Sequence, residues 1–105
     1  MISSTLVSYL DENLKIIKAE QEKCKGNEAF NSKSYDEAVV YYTRSIQLLE
    51  NAAAFNNRAL AYLKLEKWDK VIEDCDSVFK YEKDNVKGFY YFFHFISFLP
   101  FFINF

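Results

Sequence analysis

The sequence predicts an all-α superhelix of helix-turn-helix repeats, two complete and a third begun, and three observations lead there. The first is a step of one helical hairpin: Gly26, Tyr35, Ala38 and Tyr42 are matched 33 residues later by Ala59, Trp68, Val71 and Cys75. The second is apolar spacing at three and four residues, with no alternating strand pattern. The third is punctuation: Ser32-Lys33-Ser34 and Asn51 break the periodic stretches, and the single proline, Pro100, lies beyond all of them. Hairpins of this size bury a continuous core only by stacking on their neighbours, and such scaffolds bind partners more often than they carry chemistry.

Each element has its own justification. Ile2, Leu6, Leu10, Leu14 and Ile17 recur every three to four residues, giving an N-terminal amphipathic helix over residues 1–18 with Ser3 or Ser4 as its cap. A further helix is expected over 18–31, opening a first repeat that covers 19–51. Ser34 followed by Glu37 reads as a capping box for the next helix, which carries Ala38, Val39, Tyr42, Ile46 and Leu49. The second repeat, 52–85, pairs a helix over 53–64 with one over 68–81. Asp84 or Asn85 is placed to cap a fifth helix, the start of a third repeat over 86–105 that runs into an aromatic, apolar tail. Gly26 and Ala59 allow close helix approach, Tyr35 and Trp68 fill the hairpin elbows, and Ala38 sits at a crossing point.

Composition excludes several function classes. With 105 residues the chain is one small domain, and a net charge of −2 offers no electrostatic basis for binding nucleic acid. Cys24 and Cys75 lack metal-ligand spacing and His94 stands alone, so neither a metal nor a cofactor is expected. There is no glycine-rich phosphate loop and no nucleophile with a base, so the chain is not read as an enzyme. The group Glu73, Asp74 and Asp76 reads as a solvated outer helix face. Residues 1–20 have no cationic start before an apolar stretch, and two cysteines on helices suit a reducing compartment, so a cytoplasmic location is expected.

The stretches Lys-Cys-Lys-Gly-Asn-Glu-Ala-Phe, Tyr-Tyr-Thr-Arg-Ser-Ile, Phe-Asn-Asn-Arg-Ala and Asp-Asn-Val-Lys-Gly-Phe-Tyr carry a resemblance over residues 20–90. The chain resembles the tetratricopeptide repeats, and within them the carboxylate-clamp co-chaperones. Those bind the C-terminal Glu-Glu-Val-Asp of heat-shock proteins 70 and 90, and one branch is linked to chaperone-assisted assembly of dynein arms. The resemblance implies a clamp made of Lys23 and Asn27 from the first repeat, Asn57 with Arg58 in support from the second, and Lys87 from the third. It implies the acidic C-terminal peptide of those chaperones as partner.

The residue types suit that chemistry. Side chains four apart share one helix face. A terminal aspartate carries two carboxylates, which amides orient and ammonium groups neutralise through charge-assisted bonds. Taken singly, Lys23 or Lys87 reads as an ordinary solvated lysine. Asn57 is harder to dismiss, because asparagine is a poor mid-helix residue.

The pattern breaks after Lys87. The resemblance calls for arginine four residues on, where this chain has Tyr91, which donates one hydrogen bond and carries no charge. The loss should cost on the order of 2 kcal/mol, about thirtyfold in affinity. Every Lys, Arg, Asp and Glu lies at or before Lys87, whereas residues 88–105 hold eight of the 11 phenylalanines. The tail suits a truncated product ending in alternative-exon or intron sequence. It also suits a membrane anchor, since its 18 uncharged residues would reach about 27 Å as a helix, although Pro100 and Asn104 interrupt it. A third possibility is a makeshift cap over the second repeat. The competing functional reading is accordingly a tail-anchored or purely structural module with a vestigial groove.

Overall fold

The computed structural model describes residues 3–81. Four helices follow one another: α1 (Ser4–Asn31), α2 (Tyr35–Leu48), α3 (Ala52–Lys64) and α4 (Trp68–Tyr81), with no strand among the described residues. Each packs against the next; α1 also meets α3, whereas α2 and α4 make no close backbone approach. Thus α1 and α3 form one layer and α2 and α4 the other. Lys87, Tyr91 and the whole aromatic tail lie outside the described residues.

The two helices expected over 1–31 are one helix of 28 residues. No proline, glycine or turn cluster stands between Leu14 and Glu22, so nothing ends the first before the second begins. Ser3 is the cap: the Leu6 N–H donates to its Oγ at 3.2 Å. The predicted apolar stripe does not meet a core among the described residues. Leu6, Leu10, Leu14 and Ile17 are exposed, as are Val7, Tyr9 and Ile16, and α1 buries only Ala19, Gly26 and Ala29.

Both hairpins turn in the same way. After α1, the Ser34 N–H donates to the Ala29 carbonyl at 2.9 Å and the Lys33 N–H to Phe30 at 2.9 Å. After α3, the Lys67 N–H donates to Tyr62 at 3.0 Å and the Glu66 N–H to Leu63 at 3.1 Å. These are Schellman motifs, and each places a left-handed residue at the pivot: Lys33 (φ 64°) and Glu66 (φ 59°). The capping box expected at Ser34 does not form, since its hydroxyl makes no cap bond. Ser34 closes the α1 turn while opening α2, and its ψ of 71° falls short of the extended value that aims a cap side chain. Asn51 is a true cap for α3, accepting the Ala54 N–H at 2.8 Å.

The core is set by small residues facing large ones. Tyr42 packs with Ala29, Ala38 and Ala61, flanked by Phe30, Val39 and Tyr41. One hairpin on, Ala59, Val71 and Cys75 pack together beneath Tyr62, Leu63 and Trp68. Tyr35 meets Phe30 edge-on at 5.2 Å. Buried Ser45 donates to the Ala19 carbonyl at 2.7 Å, fastening α2 to α1. The tightest approach is at Gly26, where a Cβ would lie 2.5 Å from Cε1 of Tyr42. The Tyr42 ring is fully enclosed and has no room to retreat. Gly26→Ala should therefore lower stability by on the order of 1–2 kcal/mol, the clash outweighing the gain in helix propensity. A lower urea midpoint would register this.

Candidate functional site

Asn27 on α1 meets Asn57 on α3, while Gly26 and Ala59 each set the close packing inside their own hairpin, against Tyr42 and against Val71 and Cys75. Asn27 is the centre of the polar network. Its Oδ1 accepts the Tyr42 hydroxyl at 2.6 Å and the Asn57 amide Nδ2 at 3.1 Å. Around this network opens a hollow of about 240 Å³ lined by Asn27, Phe30, Asn31, Tyr42, Asn57 and Leu60. Lys23 stands one turn earlier on α1, with its ammonium 2.9 Å from a carboxylate oxygen of the well-exposed Glu20. The structure thus joins Asn27 to Asn57 directly, whereas Lys23 is one turn away along α1, paired with Glu20 and not among the residues lining the hollow. Amide donors next to an ammonium suit a carboxylate or a similar small anionic group.

Asn31 and the hydroxyl of Tyr42 were not singled out from the sequence. Asn31 was legible in principle, since Lys23, Asn27 and Asn31 fall at successive steps of four along one face. Tyr42 reads only as core, because aromatic residues at core spacing give no sign of where their polar end points.

Arg58 is placed differently from its neighbour. Its Nε donates to Asp74 Oδ2 at 2.8 Å, Nη2 to Asp74 Oδ1 at 2.6 Å, and Nη1 to Thr43 Oγ1 at 3.0 Å. It also lies over the Phe55 and Tyr62 rings at 5.5 and 5.8 Å. The guanidinium therefore links α2 and α4, whose backbones make no close approach. Asp74 is not part of a solvated face, as expected from the sequence, but 3% exposed. Charge type concealed its position: Val71, Asp74, Cys75 and Val78 form the buried stripe of α4, while Glu73 and Asp76 remain exposed.

Burial pushes the Asp74 carboxyl up against the opposing pull of Arg58. Desolvation works to lower the Arg58 pKa, but the hydrogen bonds and charge of Asp74 outweigh it and the guanidinium ends above its ordinary value. Burial, aided by the charges of Asp74 and Asp76, pushes the Cys75 thiol up to about 11. Among the described residues no three His, Cys, Asp or Glu side chains converge on a metal site, and no helix is long and apolar enough to cross a membrane.

No family model matches the chain. Over 79 residues it is 53% identical to human sperm-associated antigen 1, an alignment covering 75% of this chain and 8% of that protein. The rat protein of the same name is 50% identical over an equal length, with 9% of it covered. The chain thus spans less than a tenth of the length of these relatives. Among solved structures, the Arabidopsis OM64 TPR domain aligns with a TM-score of 0.72 and 35% identity, covering 73% of this chain and 64% of that one. The second TPR of Spaghetti (RPAP3), bound to the HSP90 peptide SRMEEVD, aligns with a TM-score of 0.80 and 32% identity, covering 85% of this chain and 82% of that one.

The chain belongs to the tetratricopeptide-repeat proteins. As in other tetratricopeptide repeats, its helices pair into stacked hairpins, and here the polar hollow lies between the first helices of two successive pairs.

Two predictions follow from the charge network. Asp74→Ala strands an enclosed guanidinium and should cost about 3 kcal/mol in denaturant unfolding. Iodoacetamide at pH 8 should alkylate exposed Cys24 and spare buried Cys75 until denaturant is added, as read by mass spectrometry. The folded thiol titrates above its ordinary 9.0, so its contribution to stability is whole below that pH and is lost as pH rises through about 11.

Proposed function

We propose that this chain is a protein–protein interaction adaptor of the co-chaperone type, binding the C-terminal Glu-Glu-Val-Asp peptide of heat-shock proteins 70 and 90. The observation that carries the reading is the Asn27–Asn57 amide bridge at 3.1 Å across facing helices, with Lys23 one turn away. A peptide's terminal carboxylates would receive the remaining amide N–H groups, and Lys23 would exchange its pairing with Glu20 for the peptide. Lys87 would supply a second ammonium from the segment beyond α4. The likeness to the second TPR of Spaghetti, solved with an HSP90 peptide, supports the ligand class. A cytoplasmic role in chaperone-assisted assembly, with dynein arms as client, is proposed on the sequence resemblance over residues 20–90.

Tyr91 in the place of arginine makes this a weak clamp. Affinity then leans on the amides and the two lysines, so it should fall steeply with salt. Titration of a labelled peptide ending in free Glu-Glu-Val-Asp tests the reading. Lys23→Ala and Asn57→Ala should each weaken binding by about tenfold or more. Affinity unmoved by Lys23→Ala, or equal for the peptide with an amidated end, would defeat it.

A further inference from the structure

The Tyr42 side chain has two ends with separate surroundings. Its ring occupies the seat left by the missing side chain of Gly26, where even a methyl group would come within 2.5 Å. Its hydroxyl passes beyond that seat to the floor of the hollow and donates to Asn27 Oδ1 at 2.6 Å. The same oxygen takes the Asn57 Nδ2 donor at 3.1 Å. With both donors on its oxygen, the Asn27 amide has its acceptor occupied and its NH₂ group left for whatever enters the hollow.

We infer that Tyr42 is a positioning residue of this site, one that fixes the Asn27 amide with its oxygen turned away from an incoming carboxylate and its N–H donors presented to it. This rests on the peptide-binding reading above. The alternative orientation is disfavoured on both sides. Turning the amide over sets its NH₂ against the Asn57 NH₂, donor facing donor, and points an oxygen at the anion. An amide free to rotate would have to be ordered on binding, whereas a pre-set one has paid that cost on folding. The hydroxyl is a sound anchor because the ring that carries it is fully buried.

Tyr42→Phe separates the two ends, since phenylalanine keeps the ring in the Gly26 seat and removes only the hydroxyl. Binding is read with two versions of one peptide, the free C-terminal acid and the C-terminal amide. In the wild-type chain the acid should bind more tightly, and Tyr42→Phe should shrink that preference by about three- to tenfold. On an Asn27→Ala background the same change should do nothing, because the group it positions is gone. An acid preference unmoved by Tyr42→Phe, or lowered equally with and without Asn27, would overturn the inference. If the wild-type chain shows no acid preference, the peptide-binding reading fails by itself, and Tyr42 is then judged by the side-chain amide signals of Asn27 and Asn57 in nitrogen–proton NMR. Movement of the Asn27 NH₂ pair in Tyr42→Phe supports the positioning role, and an unmoved pair overturns it.

Discussion

The hollow depends on one steric fact, the absence of a side chain at Gly26. That gap lets the Tyr42 ring lie against the backbone of α1, and the depth of its insertion sets where its hydroxyl ends. Because Asn27 is the next residue along α1, the packing that closes the first hairpin also delivers a hydrogen bond to the amide at the floor of the site. Packing and recognition are thereby coupled through a single side chain, and the site inherits the rigidity of the core beneath it.

On α3 the division of labour falls on three consecutive residues, which a helix turns by about 100° each. Asn56 is buried, with its Oδ1 unpaired among the described residues. Asn57 faces the hollow, and Arg58 faces Asp74 and Thr43. Arg58 does not line the hollow; its bonds to Asp74 and Thr43 tie α3 to α4 and to α2. A lone buried ion pair is weak evidence for net stability, because desolvation offsets its attraction. Its geometric consequence is plainer, since the planar fork admits one arrangement of the three helices.

Much of the fold was legible in the sequence, and the exceptions have separate causes. The hairpin step, the all-α class and the limits of α3 and α4 followed from small residues recurring opposite large ones, a pattern that close packing requires. Resemblance to known clamps put Lys23, Asn27 and Asn57 in one expected site but did not foresee the direct Asn27–Asn57 bond, because no local rule relates residues on different hairpins. Three features were read differently from the sequence. The exposure of the α1 stripe was hidden because apolar residues have the same period whether they pack or stand in water. Asp74 was misjudged because its charge spoke louder than its place between Val71 and Val78. Ser34 has the residue types of a capping box but not the backbone angle, which the preceding Schellman turn imposes.

The two left-handed turn residues have a consequence of their own. Lys33 and Glu66 sit at equivalent pivots, and neither is glycine, so each holds a conformation that costs a residue carrying a Cβ roughly 1 kcal/mol. Both side chains are exposed and neither lines the hollow. The hairpins therefore keep a reserve of untapped robustness at sites remote from the recognition face, open to being hardened against heat while the polar floor stays as it is.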